Sequence, residues 1–175
     1  MANSIQPIIR LARLSEARVI ARMSQLYIEA GLPWSWRPAR VRDHIRAVDS
    51  VVVVADIVRD PQLAGFGIMH FAEDTAALCL LAVQPAYRRN GIAARLVRWL
   101  ELTADTAGIV GLHIEAREDN DAARHLYEAL GYHLIETLPG YYSGKTTAVR
   151  FAKRLRPPFE PSDDPVWLPG PLEQP

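Results

Sequence analysis

The stretch from Ala76 to Ala107 constrains the fold more than any other part of the chain. Ala76-Ala-Leu-Cys-Leu-Leu-Ala-Val83 is apolar throughout, the pattern of a central strand buried on both faces of its sheet. Gln84 to Asn90 is polar and basic. From Gly91 to Ala107, residues Ala93, Leu96, Val97 and Leu100 recur at helical spacing, so this helix lays an apolar face on the sheet. A strand covered on both faces, feeding a helix, calls for layers of helix around one sheet.

The remaining segments fit that plan. Gln6 to Arg13 reads as a first strand, and Ser15 is a candidate cap for a helix opening at Glu16. Gly31 and Pro33 end that helix, the aromatic loop Leu32-Pro33-Trp34-Ser35-Trp36 follows, and Pro38 to Val48 reads as a second short helix. Ser50 to Arg59 holds four consecutive valines, a β-branched strand signal. Asp60-Pro61-Gln62 is a turn, and Leu63 to Glu73 is a third strand with Gly65 and Gly67 inside it. Beyond the central helix come a strand at Gly111 to Arg117 and a helix capped by Asp119 or Asn120 and closed near Gly131. Two last strands, Tyr132 to Leu138 and Thr146 to Leu155, are separated by Pro139 to Lys145. The predicted order is β-α-α-β-β-β-α-β-α-β-β, an α/β fold with a mixed, mostly antiparallel sheet of six to seven strands flanked by helices.

At 175 residues the chain suits one domain, placed at residues 1–156. Residues 157–175 contain seven prolines and read as an extended tail outside the core. Lys plus Arg balances Asp plus Glu at 20 each, which argues against a dedicated nucleic-acid binder. Cys79 is the single cysteine, so no internal disulfide forms, and its apolar surroundings read as packing. No long apolar run suggests a membrane span or a signal peptide, and a cytoplasmic protein is expected. The five histidines, His44, His70, His113, His125 and His133, show no metal-ligand spacing, so no metal is expected.

The junction of the central strand and helix has the chemistry of an anion site. A helix opening leaves backbone N–H groups without partners and carries partial positive charge. Gly91 and Ala93 let an anion approach the backbone, and Arg88 and Arg89 add charge-assisted donors. Further on, His113, Glu115 and Arg117 alternate onto one face of their strand, which suggests a cleft there. A solvated sheet face, or Glu115 paired with an arginine, explains the same pattern. Asn120 alone reads as a helix cap and Tyr127 as a packed aromatic.

Arg88-x-x-Gly91-x-Ala93 resembles the Gln/Arg-x-x-Gly-x-Gly/Ala loop of the GNAT acyltransferases, and Asn120…Ala123…Leu126-Tyr127…Gly131-Tyr132 resembles their second hallmark. The resemblance covers about residues 5 to 155. It implies a GNAT-type fold, with acetyl-CoA as co-substrate and no metal. Arg88, Arg89, Asn90, Gly91, Ile92 and Ala93 would hold its pyrophosphate, Leu81, Ala82 and Val83 its pantetheine arm, and Asn120 and Tyr127 would contact it further along. It also implies Tyr127 as general acid and Glu115 as general base. Leu32-Pro33-Trp34-Ser35, Glu115-x-Arg117-x-x-Asn120 and Tyr141-Tyr142 are similar to segments of the ribosomal-protein N-terminal alanine acetyltransferases. That similarity implies a peptide or protein N-terminal acceptor touched by Trp34, Tyr141 and Tyr142. The loop departs from that group at Trp36-Arg37-Pro38, and Ser143-Gly144-Lys145 is short. A GNAT enzyme for a small amine such as a polyamine, amino sugar or amino acid is the alternative, as is a non-catalytic acyl-CoA sensor. A homodimer is compatible with the resemblance.

Overall fold

The computed structural model describes residues 6–58, 60–142 (at 142 the backbone only), 144 and 146–156. The elements follow the expected order: β1 Pro7–Leu11, α1 Ala17–Tyr27, α2 Pro38–Arg46, β2 Ser50–Ile57, β3 Leu63–Phe71, β4 Thr75–Val83, α3 Ile92–Thr106, β5 Gly111–Arg117, α4 Asp121–Ala129, β6 His133–Tyr142 and β7 Thr146–Arg154. They build one seven-stranded sheet ordered β1-β2-β3-β4-β5-β7-β6. Only the β4–β5 pair is parallel. One apolar layer lies between the sheet and α3 and α4, around Leu96, Leu100, Ile114, Tyr132 and Phe151. The other lies under α1 and α2, around Ile20, Val41, Phe66, Ile68 and Leu80.

Two local differences from the sequence reading have clear causes. Ser15 is not a cap. It sits inside a single 3-10 turn, Leu14–Glu16, whose entry is closed by Glu16, which accepts the Arg13 N–H at 2.7 Å. The Glu16 carboxylate also holds the Arg10 guanidinium at 2.6 Å, and a serine hydroxyl offers no comparable charge. Strand β6 does not stop at Leu138 but runs through Pro139 and Gly140 to Tyr142. As the sheet's last strand it has one unpaired side, where proline's missing N–H costs nothing, and its register on β7 shifts between Leu138 and Tyr142.

The glycines within β3 are explained by helix α3. A Cβ on Gly65 would stand 2.8 Å from the Ala82 carbonyl oxygen and 3.2 Å from Leu96 Cδ1, and one on Gly67 would stand 3.0 Å from Leu100 Cδ1. The sheet therefore lets α3 settle close beside β4, which fixes where α3 begins. The tail from 157 onward, its Trp167 and Leu168, and Ser143 and Lys145 lie outside the described residues, as does the Tyr142 side chain. No helix among the described residues is long and apolar enough to cross a membrane.

Candidate active site

The site begins with a gap in the sheet. Strand β5 pairs with β4 only from Thr75↔Gly111 to Leu78↔Ile114, so Cys79–Val83 and Glu115–Arg117 face each other unpaired. At the same point β4 carries a bulge: Ile68 pairs with Leu80 and Met69 with Leu78, leaving Cys79 as the extra residue. The bulge reverses the alternation of β4. Leu78 packs toward α3, whereas Leu80 packs toward α1 and α2. It thereby reconciles an unbroken apolar run with a sheet buried on both faces.

The backbone beyond the bulge faces the gap at every second residue. The Gln84 N–H donates to the Ala64 carbonyl at 2.8 Å, and Val83 stands opposite Gly65. By antiparallel alternation Ala82 turns its polar groups to β3, and Leu81 and Val83 turn theirs toward the gap. The Arg88 Nε accordingly donates to the Val83 carbonyl at 3.1 Å.

Arg88 to Ala93 form the end of this groove. Pro85–Tyr87 is a 3-10 turn, and Tyr87 donates its hydroxyl to the Asp60 carboxylate, tying the loop to the β2–β3 turn. That bond holds the Asp60 carboxyl below its ordinary value and the Tyr87 hydroxyl above its own. Asn90 donates its side-chain amide to the Tyr87 and Arg88 carbonyls at 3.2 and 3.0 Å. Gly91 stands at the α3 N-cap with φ 73° and gives the first turn no side-chain cap. The uncapped N–H groups suit an anion. Ile92 points into the core, and Ala93 packs against it.

A cleft of about 890 Å³ opens from the gap. It brings together Leu81, Glu115, Asn120, Tyr127 and Tyr141 of the residues singled out from sequence. Asn120 caps α4, accepting the Ala123 N–H at 3.1 Å. Tyr127 is only 5% exposed, its ring edge-on to Tyr132 at 6.0 Å and tilted against Phe151 at 5.9 Å. Glu115 is the carboxylate paired with an arginine: Arg150 Nη2 and Nε donate to Oε1 at 2.7 and 3.1 Å. Arg150 reaches on to Glu136, so the three charges form a row across β5, β7 and β6 in register. Both bonds fall on Oε1, and no protein donor among the described residues reaches Oε2. His113, half-buried on the same face, is held below its ordinary pKa chiefly by burial.

The opposite wall is the segment between α1 and α2. Trp34 does not line the cleft but packs against the α1–α2 core with its Nε1 buried, while Leu32, Pro33, Ser35 and Trp36 contribute the lining. Two residues hold this wall, Glu29, which the sequence reading missed, and Arg117, which it placed on the cleft face of β5. Glu29, 7% exposed, accepts the Ser35 N–H at 2.7 Å, the Ser35 hydroxyl at 2.6 Å, the Ser24 hydroxyl at 2.9 Å and the Trp36 N–H at 3.3 Å. Burial pushes its pKa up, but these hydrogen bonds outweigh that and leave the carboxyl below its ordinary value. Arg117 reaches across from β5 and donates to the Ile28 and Ala30 carbonyls at 3.1 and 3.0 Å. An acid isolated between Ile28 and Ala30, just before Gly31, was the available signal for Glu29. Arg150 carried none, because its place opposite Glu115 depends on β7 inserting between β5 and β6.

Sequence comparison finds 35% identity over 86 residues with the ribosomal protein bS18-alanine N-acetyltransferase of Salmonella typhimurium, which is 49% of this chain and 58% of that protein. The match thus spans little more than half of that relative. The crystal structure of the ribosomal-protein-S18-alanine N-acetyltransferase from Escherichia coli matches with a TM-score of 0.72 at 24% identity, over 89% of this chain and 98% of that one. NAA60 of Arabidopsis thaliana in complex with acetyl-CoA matches with a TM-score of 0.75 at 15% identity, over 85% and 98%. These two likenesses concern the fold. The family model for acetyltransferases of the GNAT type matches residues 20–132, from within α1 to the residue before β6, a stretch that contains both sides of the β4–β5 gap, and the chain belongs to the acetyltransferase (GNAT) family.

Proposed function

We propose that the protein transfers the acetyl group of acetyl-CoA to a free α-amine at a peptide or protein N-terminus. The observation that carries this reading is the pairing of Glu115 and Tyr127 in one cleft at the mouth of the β4–β5 gap. The pyrophosphate of acetyl-CoA lies on the uncapped α3 N-terminus with Arg88 and Arg89. The pantetheine arm runs along the Leu81 and Val83 backbone toward Asn120 and Tyr127, and a backbone N–H of that strand polarises the thioester carbonyl.

The reaction needs a neutral amine. At pH 7 deprotonation costs about 1.4 kcal/mol for an α-amine and about 4.6 for a lysine side chain, from reference pKa values near 8 and 10.4. One carboxylate acting through water suits the smaller demand. Glu115 Oε2 takes the ammonium proton while Arg150 fixes the carboxylate through Oε1. The amine then attacks the carbonyl carbon and the C–N bond forms; as the C–S bond breaks, Tyr127 gives its proton to the departing thiolate, the second proton lost by the nitrogen passes through water to the tyrosinate, and Glu115 releases the first to solvent. The bS18-alanine N-acetyltransferase relatives, and an open cleft walled by Leu32, Pro33, Ser35, Trp36 and Tyr141, support a peptide acceptor.

The test is release of free CoA with peptides bearing free Ala, Ser, Met or Gly N-termini, N-blocked lysine peptides, polyamines, aminoglycosides and a no-acceptor blank. Turnover with free N-termini is expected. Glu115→Gln and Tyr127→Phe should each lower kcat about 10²-fold with acetyl-CoA affinity kept. Turnover on small amines alone removes the peptide reading, binding without any transfer makes the protein a sensor, and wild-type kcat in either variant removes that residue's role.

A further inference from the structure

We propose that the α2 wall of the cleft binds a carboxylate of the acceptor, with Arg40 as the anion-binding residue. The inference rests on the transferase reading and names the class of acceptor. Two arginines line the cleft, Arg40 and Arg117. Arg117 is committed to the Ile28 and Ala30 carbonyls. Arg40 is exposed, and among the described residues it makes no ion pair and no hydrogen bond. It is nevertheless held in place, because its guanidinium lies 4.1 Å from the centroid of the Trp36 ring. Trp36 is itself buried, its ring tilted against that of His44 at 4.9 Å. A planar cation fixed over an aromatic face keeps its N–H edge for a ligand and loses little freedom on binding one.

The surrounding charges point the same way. The segment Arg37–Arg46 holds Arg37, Arg40, Arg42 and Arg46 against one acid, Asp43, in a chain that is neutral as a whole. Across the cleft stand Glu115 and Asp119. Of the other charges that line the cleft, Glu29 and Arg117 are spent on holding the α1–α2 wall, which leaves Arg40 on the α2 side facing Glu115 and Asp119 on the β5 side. Arg40, Cys79 and Glu115 all line this same cleft. An acceptor that carries an amine and a carboxylate fits this polarity: its ammonium faces Glu115 and its carboxylate makes a bidentate pair with Arg40. An acidic side chain near a peptide N-terminus supplies that carboxylate, as does the α-carboxylate of a free amino acid.

Two arms distinguish these sources. One compares peptides of sequence Ala-Glu-Ala-Ala, Ala-Ala-Glu-Ala, Ala-Gln-Ala-Ala and Ala-Lys-Ala-Ala with amidated C-termini. The other compares free alanine and glutamate with their amides. In at least one arm the carboxylate form should exceed its neutral counterpart about tenfold in kcat/KM. Arg40→Gln should abolish that ratio through KM, Arg40→Glu should turn it toward the lysine peptide, and Arg46→Gln, which removes a charge of α2 away from the cleft, should keep it. Affinities from calorimetry with the protein loaded with desulfo-CoA read the same ratios without turnover, and unchanged acetyl-CoA affinity shows that Arg40→Gln is folded. Equal use of carboxylate and neutral forms by the wild type, or a ratio that survives Arg40→Gln, overturns the proposal. Absence of turnover with every acceptor defeats the transferase reading instead, and the binding ratios then decide whether the Arg40 site stands.

Discussion

Replacing Glu29 by glutamine tests what holds the α1–α2 wall of the cleft. The wild-type carboxylate collects four donors: the Ser35 N–H and hydroxyl at Oε1, and the Ser24 hydroxyl and Trp36 N–H at Oε2. Glutamine keeps the size of the side chain and one acceptor oxygen. Placed at Oε1, that oxygen retains both Ser35 bonds, and the Ser24 hydroxyl can turn to accept from the new amide. The Trp36 N–H, shared between the two oxygens at 3.4 and 3.3 Å, keeps only its contact to Oε1, and none of these bonds is charge-assisted any longer. Hydrogen bonds to charged groups contribute about 1.5–3 kcal/mol and neutral ones about 0.5–1.5. With the smaller desolvation of an amide offsetting part of the loss, the net cost is about 2 kcal/mol. For a chain of this size that lowers Tm by roughly 4–8 °C. The pH dependence identifies the cause. The folded-state pKa of Glu29 is depressed, so its contribution is complete above the unfolded value, near 4.3, and is lost as pH falls through the folded value. Thermal melts of both proteins from pH 7 down to about pH 3 should show a gap that is constant above about pH 5 and closes below it. Equal Tm at pH 7, or a gap that persists in acid, refutes the assignment of stability to this carboxylate.

Gly65→Ala places a Cβ 2.8 Å from the Ala82 carbonyl oxygen. It should cost about 1–3 kcal/mol in urea unfolding and weaken acetyl-CoA binding, because the atom displaced belongs to β4. A normal midpoint would mean that α3 and β4 yield at no cost. Arg88→Ala removes the guanidinium bonded to the Val83 carbonyl and should weaken CoA about tenfold by calorimetry, with the loss shrinking at high salt. Unchanged affinity would take Arg88 out of the phosphate site.

What the sequence revealed and what it concealed divide along a physical line. Patterns within one element were legible: the apolar run of β4, the helical spacing of α3, the alternation of β5 and the cap at Asn120. Each depends on neighbours a few residues away. The β4 bulge was not legible, because Ala76 to Val83 is apolar on both sides of it and a two-residue period has nothing to break against. The Glu115–Arg150 bond was open to sequence reasoning only as a class of explanation, since residues 35 apart meet through the order of strands. Trp34 and Trp36 show the same limit at short range. Both belong to one aromatic loop, and which of them faces the cleft is decided by Glu29 holding the Ser35 and Trp36 amides.

The two walls of the cleft are built by different means, and this bears on what each can change. The β4, β5 and α4 side is continuous with the sheet: Glu115 is locked into the β7 and β6 ladder, and Tyr127 is wedged between Tyr132 and Phe151. A displacement there must shift packed core, which resists even small volume changes. The α1–α2 wall is joined to the sheet at the cleft by the Arg117 contacts and holds its own shape through Glu29. Substitutions at the exposed Arg37 or Arg40 alter what that wall presents without entering the sheet. On the proposed reading, Glu115 and Tyr127, which would move protons, sit on the stiff wall, and Arg40, which would meet the acceptor's carboxylate, sits on the replaceable one. On this division, exchanging Arg40 should change which acceptors are used before it changes how fast the thioester is cleaved.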